Sequence, residues 1–66
     1  MITFIYSDGF KQEFPYKGKH TMFKGIRHNS ERPVEVLLPE DIKQYPDIVN
    51  QIKYCLHPTK GKLTYV

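Results

Sequence analysis

The segment ITFIYSDGFKQEF, residues 2–14, constrains the fold more than any other part of the chain. Ile2, Phe4 and Tyr6 share one face of a first strand, and Ser7-Asp8-Gly9 has turn composition. The loop length follows from register. A two-residue Asp8-Gly9 loop would set Phe4 opposite Glu13 and Tyr6 opposite Lys11. A three-residue loop sets Tyr6 opposite Phe10, Phe4 opposite Gln12 and Ile2 opposite Phe14. That register gathers the aromatics on one face, and Gly9 supplies the left-handed residue such a loop requires. The sequence therefore predicts a three-residue hairpin, with Thr3, Ile5, Lys11 and Glu13 on the other face. Pro15 and Gly18 end the pairing.

Downstream, residues 20–28 read as a third strand with Met22 and Ile26 inward and Phe23 and Arg27 outward, weakened at Gly25. Asn29 to Pro33 has turn composition. Val34-Glu35-Val36-Leu37-Leu38 follows as a strand with Val34, Val36 and Leu38 on the core face; Leu37 points the other way. Pro39-Glu40-Asp41 opens a short turn over 40–44, because proline suits a first helical position and acids suit a first turn. The main helix runs from about Pro46 to His57, with Ile48, Val49, Ile52, Cys55 and Leu56 forming one apolar stripe. His57 precedes Pro58, a helix boundary, and 63–66 reads as a last strand. The expectation is one α+β domain over 1–66. It holds a small single-layer antiparallel sheet of four to five strands (β-β-β-β-α-β) with one helix packed on one face.

At 66 residues there is room for one core, and a chain this short buries only about 60% of the surface its unfolded form exposes. Such domains gain from a staple, a metal or a partner. Cys55 is the single cysteine, so an internal disulfide is excluded and a reducing, cytoplasmic setting is expected. One cysteine with His20, His28 and His57 scattered along the chain lacks zinc-ligand spacing, and no cofactor motif is present. The opening residues read as neither a basic leader nor a long apolar run, and no segment has the length of a membrane span, so a soluble protein is expected. Net charge is +3, unevenly spread: residues 14–30 carry Lys17, Lys19, Lys24 and Arg27 with no acid, whereas 31–47 carry five acids against two bases. Segmental charge of this kind points to an oriented surface.

Catalytic chemistry finds few candidates. Ser7 and Ser30 sit in turn-like contexts without a partner motif, and Cys55 falls on the buried stripe, where a thiol is inert packing material. No glycine loop leads into a helix to cradle phosphate. Glu40 and Asp41 are explained by helix-dipole needs. His20 and His28, eight residues apart in an extended strand, would lie about 25 Å from each other, too far to share one phosphate. A single histidine beside Lys17 or Lys19 could act as a general acid or base. Around Gly18, His20 and Pro39, the stretch GKH…RPVEVLLP resembles the small double-stranded-RNA-binding-like toxins of the HicA family. There a glycine-x-histidine strand is followed by a strand ending in proline. The resemblance implies a histidine-dependent ribonuclease, although that family opens with a helix and this chain opens with a hairpin.

Two binding readings stand ahead of it. Nucleic-acid binding through residues 17–28 would combine Lys17, Lys19, Lys24 and Arg27 with Phe23 as a stacking platform. Protein binding is favoured: nine aromatics exceed what so small a core can hold, and Tyr16, Phe23, Tyr45 and Tyr54 are the candidates left outside. Short edge strands also suit β-augmentation or a homodimer. The sequence thus predicts a stand-alone, non-enzymatic protein that modulates or inhibits a larger protein or nucleoprotein complex. Small inhibitors encoded by phages and mobile elements supply the analogy. Its expected partner-binding residues are Tyr16, Lys17, Lys19, His20, Phe23, Lys24, Arg27 and Leu37.

Overall fold

The structure, a computed structural model, describes residues 1–26 and 32–66. The hairpin forms in the expected register: β1 (Ile2–Ile5) pairs antiparallel with β2 (Lys11–Phe14), with Ile2 opposite Phe14 and Phe4 opposite Gln12. The Tyr6 amide donates to the Phe10 carbonyl at 2.9 Å, closing a three-residue Ser7-Asp8-Gly9 loop. Gly9 sits at φ +90°, where a side chain would be strained, and Asp8 Oδ1 accepts the Phe10 amide at 3.1 Å.

β3 (Glu35–Leu38) lies antiparallel against the other side of β1, and β4 (Lys62–Tyr65) lies parallel to β3. The order across the four-stranded sheet is β2-β1-β3-β4. The expected α+β fold with one helix is therefore present, but the sheet is mixed. The reason is the crossover: a 3-10 helix (Glu40–Gln44) and α1 (Pro46–Cys55) carry the chain back to the starting end of β3, so the returning strand runs the same way.

One face of the sheet holds the core. Ile2, Phe4, Tyr6, Phe14, Val36 and Leu38 join Ile42 from the 3-10 helix and Ile48, Val49 and Ile52 from α1 in one buried cluster. Full burial of an aliphatic or aromatic side chain contributes about 1.5–3 kcal/mol against leaving it exposed, so these residues carry most of the gain on folding. Cys55 and Leu56 complete the predicted helix stripe as half-buried neighbours, and burial pushes the Cys55 thiol up while Arg32 opposes the shift. The opposite face carries Thr3, Ile5, Lys11, Glu13, Glu35, Leu37, Lys62 and Thr64. On it Glu35 accepts the Thr64 hydroxyl at 2.8 Å and meets Lys62 at 3.7 Å.

The predicted third strand is absent from its described part. Gly18–His20 is a 3-10 turn, and Lys24-Gly25 is a second turn. These breaks cancel the in–out parity of a continuous strand. Phe23 turns inward instead of outward: its ring lies 5.7 Å from Phe4 and 5.4 Å from Phe14. Met22, expected inside, is 60% exposed. Ile26 does pack on the core. Arg27 and His28, and with them the expected separation of about 25 Å between His20 and His28, lie outside the described residues.

Candidate functional site

The backbone after β2 folds back over the core face of the hairpin, where Phe23 meets Phe4 and Phe14, and contacts of Thr21, Gln12 and Phe23 hold it there. The Thr21 hydroxyl accepts the Lys17 amide at 2.9 Å and donates to the Gly18 carbonyl at 2.7 Å, which winds residues 17–21 into a closed turn. Gln12 donates its side-chain amide to the Gly25 carbonyl and accepts the Tyr6 hydroxyl at 3.3 Å, tying the second turn to β2. Between the two turns, Phe23 is inserted edge-on against Phe14, whose ring is in turn edge-on to Phe4 at 5.0 Å.

This arrangement encloses a pocket of about 350 Å³ lined by Gln12, Glu13, Phe14, Pro15, Lys17, His20, Met22 and Lys24. Glu13 and Phe14 belong to opposite faces of the sheet, so the pocket opens at the sheet's outer edge. The hairpin ladder sharpens that placement. Since the Tyr6 amide donates to the Phe10 carbonyl, and the Ile5 carbonyl faces β3 as acceptor of the Val34 amide, alternation makes Phe4–Gln12 and Ile2–Phe14 the bonded pairs. The backbone N–H and C=O of Lys11 and Glu13 then point outward from the sheet. Lys17, Lys24 and His20 face one acid, Glu13, while Phe14, Pro15 and Met22 make the apolar wall.

The turn behind the pocket is braced from below. The Tyr16 hydroxyl donates to Asp41 Oδ2 at 2.6 Å, and Gln44 donates to the other carboxylate oxygen at 2.8 Å. Partial burial, and then the adjacent Asp41 carboxylate, push the Tyr16 phenol up to about 12. A Cβ at Gly18 would stand 3.3 Å from the Tyr45 hydroxyl, so the turn rests directly on that ring.

Of the residues expected to bind a partner, the structure gathers Lys17, His20 and Lys24 in the pocket. Lys19 is exposed on the 3-10 turn beside it. Tyr16 and Phe23 are engaged below, as brace and as core packing, and Leu37 lies on the open sheet face. Arg27 falls outside the described residues. Sequence reasoning missed Gln12, Glu13, Phe14, Pro15 and Met22 as lining groups. Nothing local signals them, because their grouping depends on the fold-back at Gly18–His20. It also missed His57, whose Nδ1 accepts the Lys60 amide at 3.1 Å and the Thr59 amide at 3.3 Å, closing the turn that leads into β4. The glycine-x-histidine segment that carries the toxin resemblance is a 3-10 turn here.

Among the described residues, no group of three or more His, Cys, Asp and Glu side chains is placed to hold a metal ion. No described helix is long and apolar enough to cross a membrane. No protein-family model matches the chain, and no curated protein or solved structure shows significant similarity to it.

Proposed function

We propose that this is a non-enzymatic, cytoplasmic binding protein that modulates a larger protein by capturing an acidic, extended segment of it along the outer edge of β2. One observation carries the reading. Lys17, His20 and Lys24 share a pocket with Phe14, Pro15 and Met22, at a strand edge whose backbone groups point outward. Extended peptides add to such edges through main-chain hydrogen bonds, with side-chain pockets supplying selectivity. The cations favour acidic side chains and speed encounter. The apolar wall gives a desolvated contact, and a methionine at the rim adapts to varied shapes.

Nucleic-acid binding through the same segment is the weaker alternative. Its stacking platform was to be Phe23, and that ring is packed between Phe4 and Phe14. Without a platform, single-strand binding would rest on phosphate contacts alone. The two readings separate in one titration. Fluorescence anisotropy compares an eight-residue peptide alternating Glu with Val or Leu against single-stranded RNA of similar charge. The proposal expects saturable peptide binding that survives 150 mM salt. Retention of RNA alone, with an affinity that collapses as salt rises, would replace it.

A further inference from the structure

The second free edge of the sheet is at β4. The Lys62 amide donates to the Val34 carbonyl at 3.1 Å and the Val66 amide to the Leu38 carbonyl at 2.9 Å. By the two-residue alternation of a strand, the N–H and C=O groups of Leu63 and Tyr65 point away from β3. Among the described residues β3 is the sole strand neighbour of β4. Edges of this kind are normally blunted by charge projecting past them. Here Lys62 lies on the open sheet face 3.7 Å from Glu35, and the Lys43 ammonium is stacked over the Tyr65 ring, 4.4 Å from its centroid, on the helix side.

We propose that β4 pairs antiparallel with β4 of a second copy, about a two-fold axis through Thr64, to make a continuous eight-stranded sheet. The choice of occupant rests on register. Centred on Thr64, Leu63 of one copy stands opposite Tyr65 of the other, twice. All four outward N–H groups and C=O groups are then used in two bonded pairs. Leu63 and Tyr65, both half-buried on the helix side, meet across the seam as an aliphatic–aromatic pair. On the open face Thr64 meets Thr64, a favourable cross-strand pair. Lys62 stands opposite Val66, which is 74% exposed in the single chain. The two Lys62 residues lie about 13 Å apart along the strands, beyond the screening length of about 8 Å at physiological salt. Other registers leave outward groups unused. The contact is short, so the dimer is a weak one. It places the two pockets at opposite ends of the sheet, about 34 Å apart across seven strand spacings, and so makes the assembly bivalent.

Sedimentation equilibrium of the intact protein over a concentration series up to about 1 mM, high enough to detect a dimer with a millimolar dissociation constant, should show the average mass rising toward twice that of the chain. A constant monomer mass would overturn the proposal, as would growth past the dimer. Register is read by oxidative cross-linking. At a non-bonded antiparallel pair the Cα atoms lie about 4.5 Å apart, within disulfide range. Thr64→Cys should therefore yield covalent dimer, at least tenfold more than Lys62→Cys or the parent with its Cys55. Equal yields from the three proteins would contradict the two-fold register.

Discussion

The Tyr16 hydroxyl donates to the Asp41 carboxylate at 2.6 Å, joining the segment after β2 to the 3-10 helix 25 residues later. This bond braces the turn that carries Lys17 and His20. Its proton is held more tightly in the folded state than in the unfolded chain, where tyrosine ionises near 10; folding raises the value to about 12. The contribution is therefore fully present below about pH 10 and is lost as pH climbs through about 12. Urea denaturation should show the parent more stable than Tyr16→Phe at pH 8, with the difference shrinking or reversing by pH 11.5. Absorbance titration at the tyrosinate band should show one late-ionising phenol lost in the variant.

Phe23 packs edge-on against Phe14, the aromatic residue of the pocket wall. Phe23→Ala removes two aromatic contacts, worth about 0.5–1.5 kcal/mol each, together with partial burial. We expect a loss of about 2–3 kcal/mol, below the 3–5 of a fully buried phenylalanine. Peptide affinity should fall with it, at a temperature where the variant remains folded. Phe23→Leu should recover much of the stability. A surface role for Phe23, as a pure contact residue, would leave the denaturation midpoint unchanged.

The in–out pattern of residues 20–26 was the part of the fold least legible in the sequence, and Phe23 shows why. Strand parity assigns a residue to a face only while the backbone stays extended, and the turns at Gly18–His20 and Lys24-Gly25 interrupt it. The hairpin was legible to the residue because one register alone places Tyr6, Phe10 and Phe14 with Phe4 and Ile2. The α1 stripe was legible for the same kind of reason. The parallel β3–β4 pair was not, since direction depends on where the crossover delivers the chain. Within the site, charge composition identified Lys17, His20 and Lys24, whereas their apolar wall comes from a neighbouring strand.

Gly61 is tied to its position by space. A Cβ there would lie 2.6 Å from the His57 carbonyl oxygen and 2.8 Å from the Leu56 Cβ. The Gly61 amide also donates to that carbonyl at 3.0 Å. Gly61→Ala must move backbone at the entry to β4 and should cost about 1–3 kcal/mol, the usual range for overpacking. Thermal denaturation checks it. His57→Ala, which removes the acceptor of the Lys60 and Thr59 amides, should cost about 1 kcal/mol.

Exchanging Lys17 and Lys24 for Glu reverses the pocket's charge without touching the core, because both side chains are exposed. The double variant should fold as the parent does and associate with an acidic peptide at least tenfold more slowly at low salt, with a smaller difference at high salt. Lys43→Glu, on the 3-10 helix with its ammonium 4.4 Å from the Tyr65 ring centroid, serves as the control and should leave the association rate within about twofold.

The most direct test of an edge-binding site is an amide chemical-shift titration of the protein with the Glu-Val/Leu peptide. The account predicts saturable shifts concentrated at residues 11–15 and 17–24, slowed hydrogen exchange of the Lys11 and Glu13 amides as the added strand takes them up, and loss of these effects in the Lys17→Glu, Lys24→Glu double variant. Shifts centred instead on the exposed face of α1 around Tyr54, or unchanged exchange at Lys11 and Glu13, would contradict it.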